Sequence, residues 1–321
     1  MDKLLEGKRV FDIEIEALKR TRDALDDTFV QILDLIIGCT GKVIITGMGK
    51  PGHIATKLAA TFASLGTPSF YLHPGEAMHG DLGMISANDV VIAISYSGES
   101  YEIVSILSSI KMIGATLVAI TGNPTSTLAK TSDIVQILPE FEEACYLGLA
   151  PTASTTSVLC YGDALAVVAS VIYGFKDIDF GKFHPAGTLG KKIILKVNDL
   201  MTKGMDNAKV HVSVALKDAI IELSKKRIGA VSVVDDEDNL LGIITGGDLC
   251  RQMEKGADIY SMKVEEVMTS EPITITSDRL AIDALNIMKT KNITCLPVIE
   301  KEKKVIGIIN IRDIVGAGIL G

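Results

Sequence analysis

The stretch Val90–Ser100, VVIAISYSGES, runs five consecutive apolar residues straight into a hydroxyl-rich turn around Gly98. An unbroken apolar run of that length, closed by a turn, reads as a parallel strand buried on both faces. Beyond it, Ile103, Ile106, Leu107, Ile110 and Ile113 recur at helical spacing, which predicts a helix starting near Glu99–Ser100. That order leaves the helix's first N–H groups without backbone partners and sets its positive dipole end beside the strand's carboxyl end. Ser95, Ser97 and Ser100 add hydroxyl donors at the same point. The plain alternative is an ordinary serine N-cap. Three hydroxyls around one glycine favour a phosphate cradle.

Working outward, the same grammar repeats. Val43–Thr46 reads as a strand, followed by the turn GMGKPGH (47–53) and a helix from Ile54 to about Leu65. Ser69–Leu72, Leu117–Ile120 and Ile134–Leu138 are further strands, and the loops HPGEAMHGDLG (73–83) and TGNPTST (121–127) lie between them. Short strands alternating with helices predict an α/β fold with a doubly wound parallel sheet, whose ligands sit at the strands' carboxyl ends. A second hydroxyl cluster, PTASTT (151–156), precedes an apolar helix expected over Val158–Ile172. The charged segment 1–37 carries a helical apolar period and reads as one or two amphipathic helices.

The net charge of −8 and the absence of a basic run argue against nucleic acid as the main partner. Five cysteines without a C-x-x-C pair suit a reducing cytoplasm rather than a disulfide frame or zinc site. The charged N-terminus lacks a signal peptide's apolar centre, and no apolar run is expected to span a membrane. The reading is a soluble cytoplasmic protein.

The remainder of the chain duplicates itself. VNDLMTKGM (197–205) is answered by VEEVMTSEP (264–272), and LLGIITGGDL (240–249) by VIGIINIRDI (305–314). The offset is 65 positions from Gly242 to Gly307 and 67 from Met201 to Met268, so a small α+β unit occurs twice in tandem. This half resembles a pair of CBS repeats, with the family's G-h-h-[ST]-x-x-D signature as Gly242, Thr245 and Asp248, then as Gly307 and Asp313 with Asn310 in the hydroxyl position. GMGK, HPGEAMHGDLGM, SYSGES, LAPTAST and GDALA in order resemble the sugar isomerase (SIS) domain. The combination, joined by HPAGTLGKK, is similar to the bacterial arabinose 5-phosphate isomerases. It departs from them at Pro51, where serine is usual, and Ala186, where glycine is usual. The expected domains are an SIS domain over 1–195 and CBS repeats over 196–260 and 261–321.

The resemblance implies an aldose–ketose isomerase acting on D-arabinose 5-phosphate and D-ribulose 5-phosphate, feeding synthesis of the eight-carbon acid Kdo. Resemblance and chemistry together assign the phosphate to Ser95, Ser97 and Ser100, with Ser154 or Thr155 as a second wall. The proton shuttle needs a carboxylate whose pKa burial moves toward neutrality. Glu143 and Glu102 are the candidates, with Glu143 favoured and Glu102 alternatively a first-turn carboxylate favoured by the helix dipole. Lys50 serves electrostatically on the phosphate or the enediolate oxygen. His184 is assigned to ring opening or proton transfer between O1 and O2, with His79 as a helper. No cofactor and no metal is required, and an inhibitory zinc at His79 and His184 is the one metal site considered. Thr245, Asp248 and Asp313 are the expected contacts of a nucleotide or nucleotide-sugar effector; the alternative role of the CBS pair is subunit pairing, within an expected homotetramer. Other readings are an isomerase of a different sugar phosphate and a non-catalytic phosphosugar sensor.

Overall fold

The computed structural model describes residues 1–185, 187–300 and 303–319, with side chains at 188 and 189 left aside. The departure noted at Ala186 lies outside the described residues. The chain forms two compact units, Met1–Phe180 and Gly181–Gly321.

In the first unit the apolar runs become a parallel sheet: β1 (Val43–Gly47), β2 (Ser69–Leu72), β3 (Val90–Ile94), β4 (Thr116–Thr121) and β5 (Ile134–Ile137), in the spatial order β2-β1-β3-β4-β5. Every residue of β1 and β3 is buried, which is why these strands read as continuous apolar runs rather than alternations. The helices are α1 (Lys3–Asp23), α2 (Asp27–Gly38), α3 (Lys50–Ser64), α4 (Pro74–Ala77), α5 (Tyr101–Ile113), α6 (Thr127–Thr131) and α7 (Ala153–Ile172). One apolar core joins α2, α3 and α7 to one face of the sheet, through Ile36, Leu58, Phe62, Ile92 and Leu165. A second, with Ile44, Val91, Ile103, Leu107 and Leu128, joins α5 and α6 to the other. The sheet is therefore doubly wound, and its strand order reverses between β1 and β3, where a ligand crevice opens at the carboxyl ends.

Two helices begin earlier than the apolar periodicity predicts. α3 starts at Lys50 rather than Ile54, because Pro51 in a first turn costs no hydrogen bond. α7 starts at Ala153 rather than Val158, so Ser154 and Thr155 belong to its first turn. Contrary to the expectation of no membrane-length run, α7 is the one helix among the described residues long and apolar enough to cross a membrane. Its buried residues, including Val158, Tyr161, Leu165, Ala166 and Ala169, pack in the core beside α3, as a central helix of a folded domain does.

Asp133 ties the start of β4 to α5: it accepts from the Leu117 N–H at 2.8 Å and pairs with Lys111. Burial alone would raise its pKa, but Lys111 and the Leu117 N–H outweigh it and hold the carboxyl below its ordinary value. A depressed carboxyl stabilises fully above its unfolded pKa of about 4 and loses that contribution as pH falls through the folded value. Asp133→Asn is therefore expected to cost about 1 kcal/mol at pH 7, a figure held low because the pair is part-exposed. Urea unfolding of both proteins across pH should show the difference narrow as pH falls below the unfolded carboxyl's value of about 4 and through the lowered folded one.

α8 (Asp177–Phe183) carries the chain into the second unit, followed by α9 (Thr188–Ile194) and α10 (Val197–Leu200). One four-stranded sheet there orders β10-β9-β8-β7 and the other β11-β12-β13-β6. The strands are β6 (Thr202–Lys203), β7 (Lys209–His211), β8 (Ala230–Val234), β9 (Leu240–Thr245), β10 (Thr269–Ser270), β11 (Ile275–Thr276), β12 (Cys295–Ile299) and β13 (Val305–Asn310). Each copy of the duplicated sequence lends its short leading strand to the other's sheet: β10 pairs with β9, and β6 with β13. The repeated glycines permit this, since a Cβ on Gly242 would lie 3.0 Å from the Thr269 carbonyl and one on Gly307 2.7 Å from that of Thr202. The helices are α11 (Leu216–Lys226), α12 (Gly246–Glu254), α13 (Val264–Val267), α14 (Ala281–Lys291) and α15 (Ile311–Gly316).

Candidate active site

Three helices of the first unit, α3, α5 and α7, begin at the crevice, and none is capped by its own N-cap side chain; at α7 the Glu143 carboxylate accepts from the N–H groups of Thr152 and Ser154 instead. By contrast α1, α2, α4 and α6 are capped by Asp2, Asp26, His73 and Ser126. Gly49 before α3 has no side chain to offer. Ser100 occupies the N-cap position of α5, yet its hydroxyl lies 2.9 Å from Ser95 Oγ instead of on the helix N–H groups. That geometry disfavours the ordinary N-cap reading of SYSGES. The turn is fixed from within: Gly98 N–H donates to Ser95 Oγ at 3.1 Å, and the Gly98 carbonyl accepts from Leu128 at 3.1 Å. Ser97 is exposed and accepts from the Glu99 N–H at 3.3 Å. The open N–H groups of the α5 start, its dipole and the Ser95–Ser100 hydroxyl pair are features that suit an anion.

A small cavity lies between the starts of α3 and α7 and the end of β3, lined by Pro51 and Ile54 of α3, Ile94 and Tyr96 at the end of β3, and Ser154, Thr155 and Val158 of α7. Thr155 donates to the Thr152 carbonyl at 2.9 Å. Tyr96 carries no signal in the sequence that singles it out. Its ring lies against Gly122, where a Cβ would come within 2.7 Å of it, and it stacks obliquely on Phe141 at 5.8 Å. Burial first, then the charges of Glu143 and Glu140, push the Tyr96 phenol above its ordinary pKa, so Glu143 lies within electrostatic reach of the crevice.

Glu143 sits half-buried in the loop between β5 and α7. Its Oε2 accepts from the Thr152 N–H at 2.6 Å, the Thr152 hydroxyl at 2.9 Å and the Ser154 N–H at 3.4 Å. Burial would raise its pKa, but hydrogen bonds from Ser154 and Thr152 outweigh burial and hold it below the usual carboxylate range. The expectation of a base moved toward neutrality is thus corrected: the donors stabilise the charged form more than burial penalises it. α1 holds the loop from outside, with Arg9 donating to the Ala144 carbonyl at 2.9 Å and Arg20 to that of Glu140 at 3.2 Å. Thr156 in turn donates to Glu14 at 2.8 Å. These α1 contacts are not legible in sequence, because nothing in a helical period says which loop its charges meet.

The other expected residues are placed less tightly. Lys50 is exposed at the first position of α3, and Glu102 is half-buried in the first turn of α5. His79 is exposed in the loop after β2, at the same edge of the sheet. His184 belongs to the second unit, where its N–H donates to the Gly181 carbonyl at 3.1 Å. The two histidines considered for zinc thus fall in different units.

The SIS domain family matches residues 36–168, and the CBS domain family matches 197–255 and 264–319. Arabinose 5-phosphate isomerase KdsD of Escherichia coli (strain K12) is 43% identical over 314 residues, 98% of this chain and 95% of that protein. This chain belongs to the arabinose 5-phosphate isomerase family. KdsD of Pseudomonas aeruginosa is 40% identical over 320 residues, covering 100% of this chain and 98% of the relative. A solved protein of E. coli CFT073, in complex with arabinose 5-phosphate, is 44% identical, with a TM-score of 0.56 over 57% of this chain and 98% of its own.

In this member of the arabinose 5-phosphate isomerase family the two copies of the CBS signature differ. Beside Thr245 and Asp248 lies a cleft of about 480 Å³, lined also by Ile243, Arg251, Thr269, Ile293 and Cys295. Asp248 closes a capping box with Thr245, accepting from its N–H at 2.8 Å and its hydroxyl at 2.6 Å, and it also pairs with Arg251. At the equivalent point of the second copy, Asn310 is buried and spends its amide on the first copy, donating to the Ile228 carbonyl at 2.6 Å. Arg312 donates to the Arg227 carbonyl at 2.8 Å, and Asp313 accepts from the Asn310 N–H at 3.3 Å.

Proposed function

We propose that the chain interconverts D-arabinose 5-phosphate and D-ribulose 5-phosphate through an enediolate, the first step toward Kdo for lipopolysaccharide or capsule. The observation that carries this reading is a cavity between the starts of α3 and α7 and the end of β3, beside the Glu143 carboxylate that accepts from the Ser154 N–H. The phosphate dianion sits on Ser95, Ser97, Ser100 and the α5 N–H groups, with Ser154 and Thr155 as the facing wall. Glu143 removes the C2 proton of the open-chain aldose and returns it to C1. Lys50 stabilises the negative oxygen of the enediolate, and Glu102 orients a substrate hydroxyl. His184, supplied by a neighbouring subunit and helped by His79, opens the ring and moves the hydroxyl proton between O2 and O1.

Purified protein offered pentose and hexose phosphates is the direct test. Turnover of arabinose 5-phosphate with little or none of hexose 6-phosphates is the expected result, and no turnover of arabinose 5-phosphate would sink the reading. The protein acts as a cytoplasmic homotetramer, its free cysteines suited to a reducing compartment. The cleft at Thr245 and Asp248 takes one nucleotide or nucleotide-sugar effector per chain, because Asn310 is already committed to Ile228. Calorimetric titration with ATP, AMP and CMP-linked sugars should give a stoichiometry near one that Asp248→Ala removes. Unchanged melting and unchanged rate with all of them would leave the CBS pair a subunit-pairing role.

A further inference from the structure

Thr152 stands where a helix cap is expected, at the N-cap position of α7, yet its hydroxyl makes no cap. The Ala144 N–H donates to Thr152 Oγ1 at 2.8 Å, and Thr152 Oγ1 lies 2.9 Å from Glu143 Oε2. A hydroxyl has one proton. With the amide as its donor and a carboxylate as its other neighbour, that proton points at Glu143. The Thr152 N–H donates to the same carboxylate oxygen at 2.6 Å. One residue thus supplies two of the donors on Oε2, and both favour the ionised carboxylate.

We infer that Thr152 is a positioning residue for the base, holding Glu143 ionised and fixing Oε2 so that Oε1 faces the substrate. The inference rests on the reading of Glu143 as the base. Accepting from Ala144 and donating to Glu143, the Thr152 hydroxyl closes the neck of the 143–152 loop, which Arg9 holds from outside through the Ala144 carbonyl. A carboxylate on an untethered loop would sample rotamers and lose its alignment with the C2 proton. The depressed pKa of Glu143 agrees with this arrangement.

The test compares Thr152→Val, which keeps the branched shape and loses the hydroxyl, with Thr152→Ser, which keeps the hydroxyl. Glu143→Gln is run beside them, on arabinose 5-phosphate across pH. Thr152→Val is expected to lower kcat about tenfold with KM within about twofold. It should also raise the acid limb of kcat by about one pH unit, as loss of a donor to the charged form requires. Thr152→Ser should restore both the rate and the limb. A merely structural threonine would not move the limb. If Thr152→Val does not fold, Thr152→Cys, whose thiol is a weak donor, carries the same comparison. A wild-type rate and limb in the hydroxyl-deficient variant, with Glu143→Gln inactive, overturns this inference alone. Full activity in Glu143→Gln overturns the reading of the base and this inference with it.

Discussion

Glu143→Gln should lower kcat on arabinose 5-phosphate by about 10³-fold, the middle of the range for removing a general base. It should also stop solvent deuterium from entering C1 and C2. The glutamine keeps the side chain's shape and can still accept from Thr152, so folding is preserved while the basic oxygen is lost. Glu102→Gln should slow the reaction while leaving exchange measurable, since Glu102 lies in the first turn of α5 and its proposed role is to orient a hydroxyl. If Glu102→Gln abolishes exchange and Glu143→Gln does not, the assignments are reversed. The pH profile adds an independent sign. Because hydrogen bonds from Ser154 and Thr152 hold Glu143 below its ordinary range, its base form is lost only as pH falls through that lowered value. A fall in rate between about pH 5 and 7 is therefore not expected from this carboxylate, whereas the second ionisation of the substrate phosphate, at about 6, falls in that window. A base held below its usual range is weaker than a free carboxylate, and the role proposed for Lys50, stabilising the enediolate, would compensate for that.

The parts of this site legible in sequence are those with a repeating physical signal. β1 and β3 are buried along their whole length and read directly as apolar runs, which is enough to locate the switch-point crevice. The duplication places the CBS pair in the same way, although not the exchange of β6 and β10 between copies. The start points of α3 and α7 depart from the periodicity for a common reason. Their first turns hold Lys50–Pro51–Gly52 and Ala153–Ser154–Thr155, of which Pro51, Ser154 and Thr155 line the cavity rather than continue an apolar stripe. Local rules fail first where function overrides them. The Thr152–Glu143 bonds, the Arg9 contact and the Asn310 amide join residues far apart or on irregular backbone, and no periodicity encodes such pairs.

Gly98→Ala is expected to raise KM for arabinose 5-phosphate at least about tenfold and to weaken inhibition by inorganic phosphate in parallel. Gly98 has φ 67°, a left-handed conformation that costs an L side chain about 1–2 kcal/mol. Its added Cβ would also lie 2.1 Å from Ser126 Oγ and 3.0 Å from Thr121 Oγ1. Neither neighbour is free to yield. Ser126 is buried, donates to the Asn123 carbonyl at 2.8 Å and caps α6 through the Ala129 N–H at 3.2 Å. Thr121 donates to the Tyr96 carbonyl at 3.1 Å. The turn must therefore lift, which pulls the Gly98 N–H from Ser95 Oγ and parts the Ser95–Ser100 hydroxyl pair. Glu143 is on another loop, so kcat at saturating substrate should fall much less than kcat/KM. Gly83→Ala is the matched control, because a Cβ there meets nothing within 4 Å and the backbone carries no positive φ. Equal KM values in Gly98→Ala, Gly83→Ala and the unsubstituted chain would show that phosphate is not bound by the SYSGES turn. A rise confined to Gly98→Ala, with the fold retained by circular dichroism, ties the turn's left-handed glycine directly to anion capture.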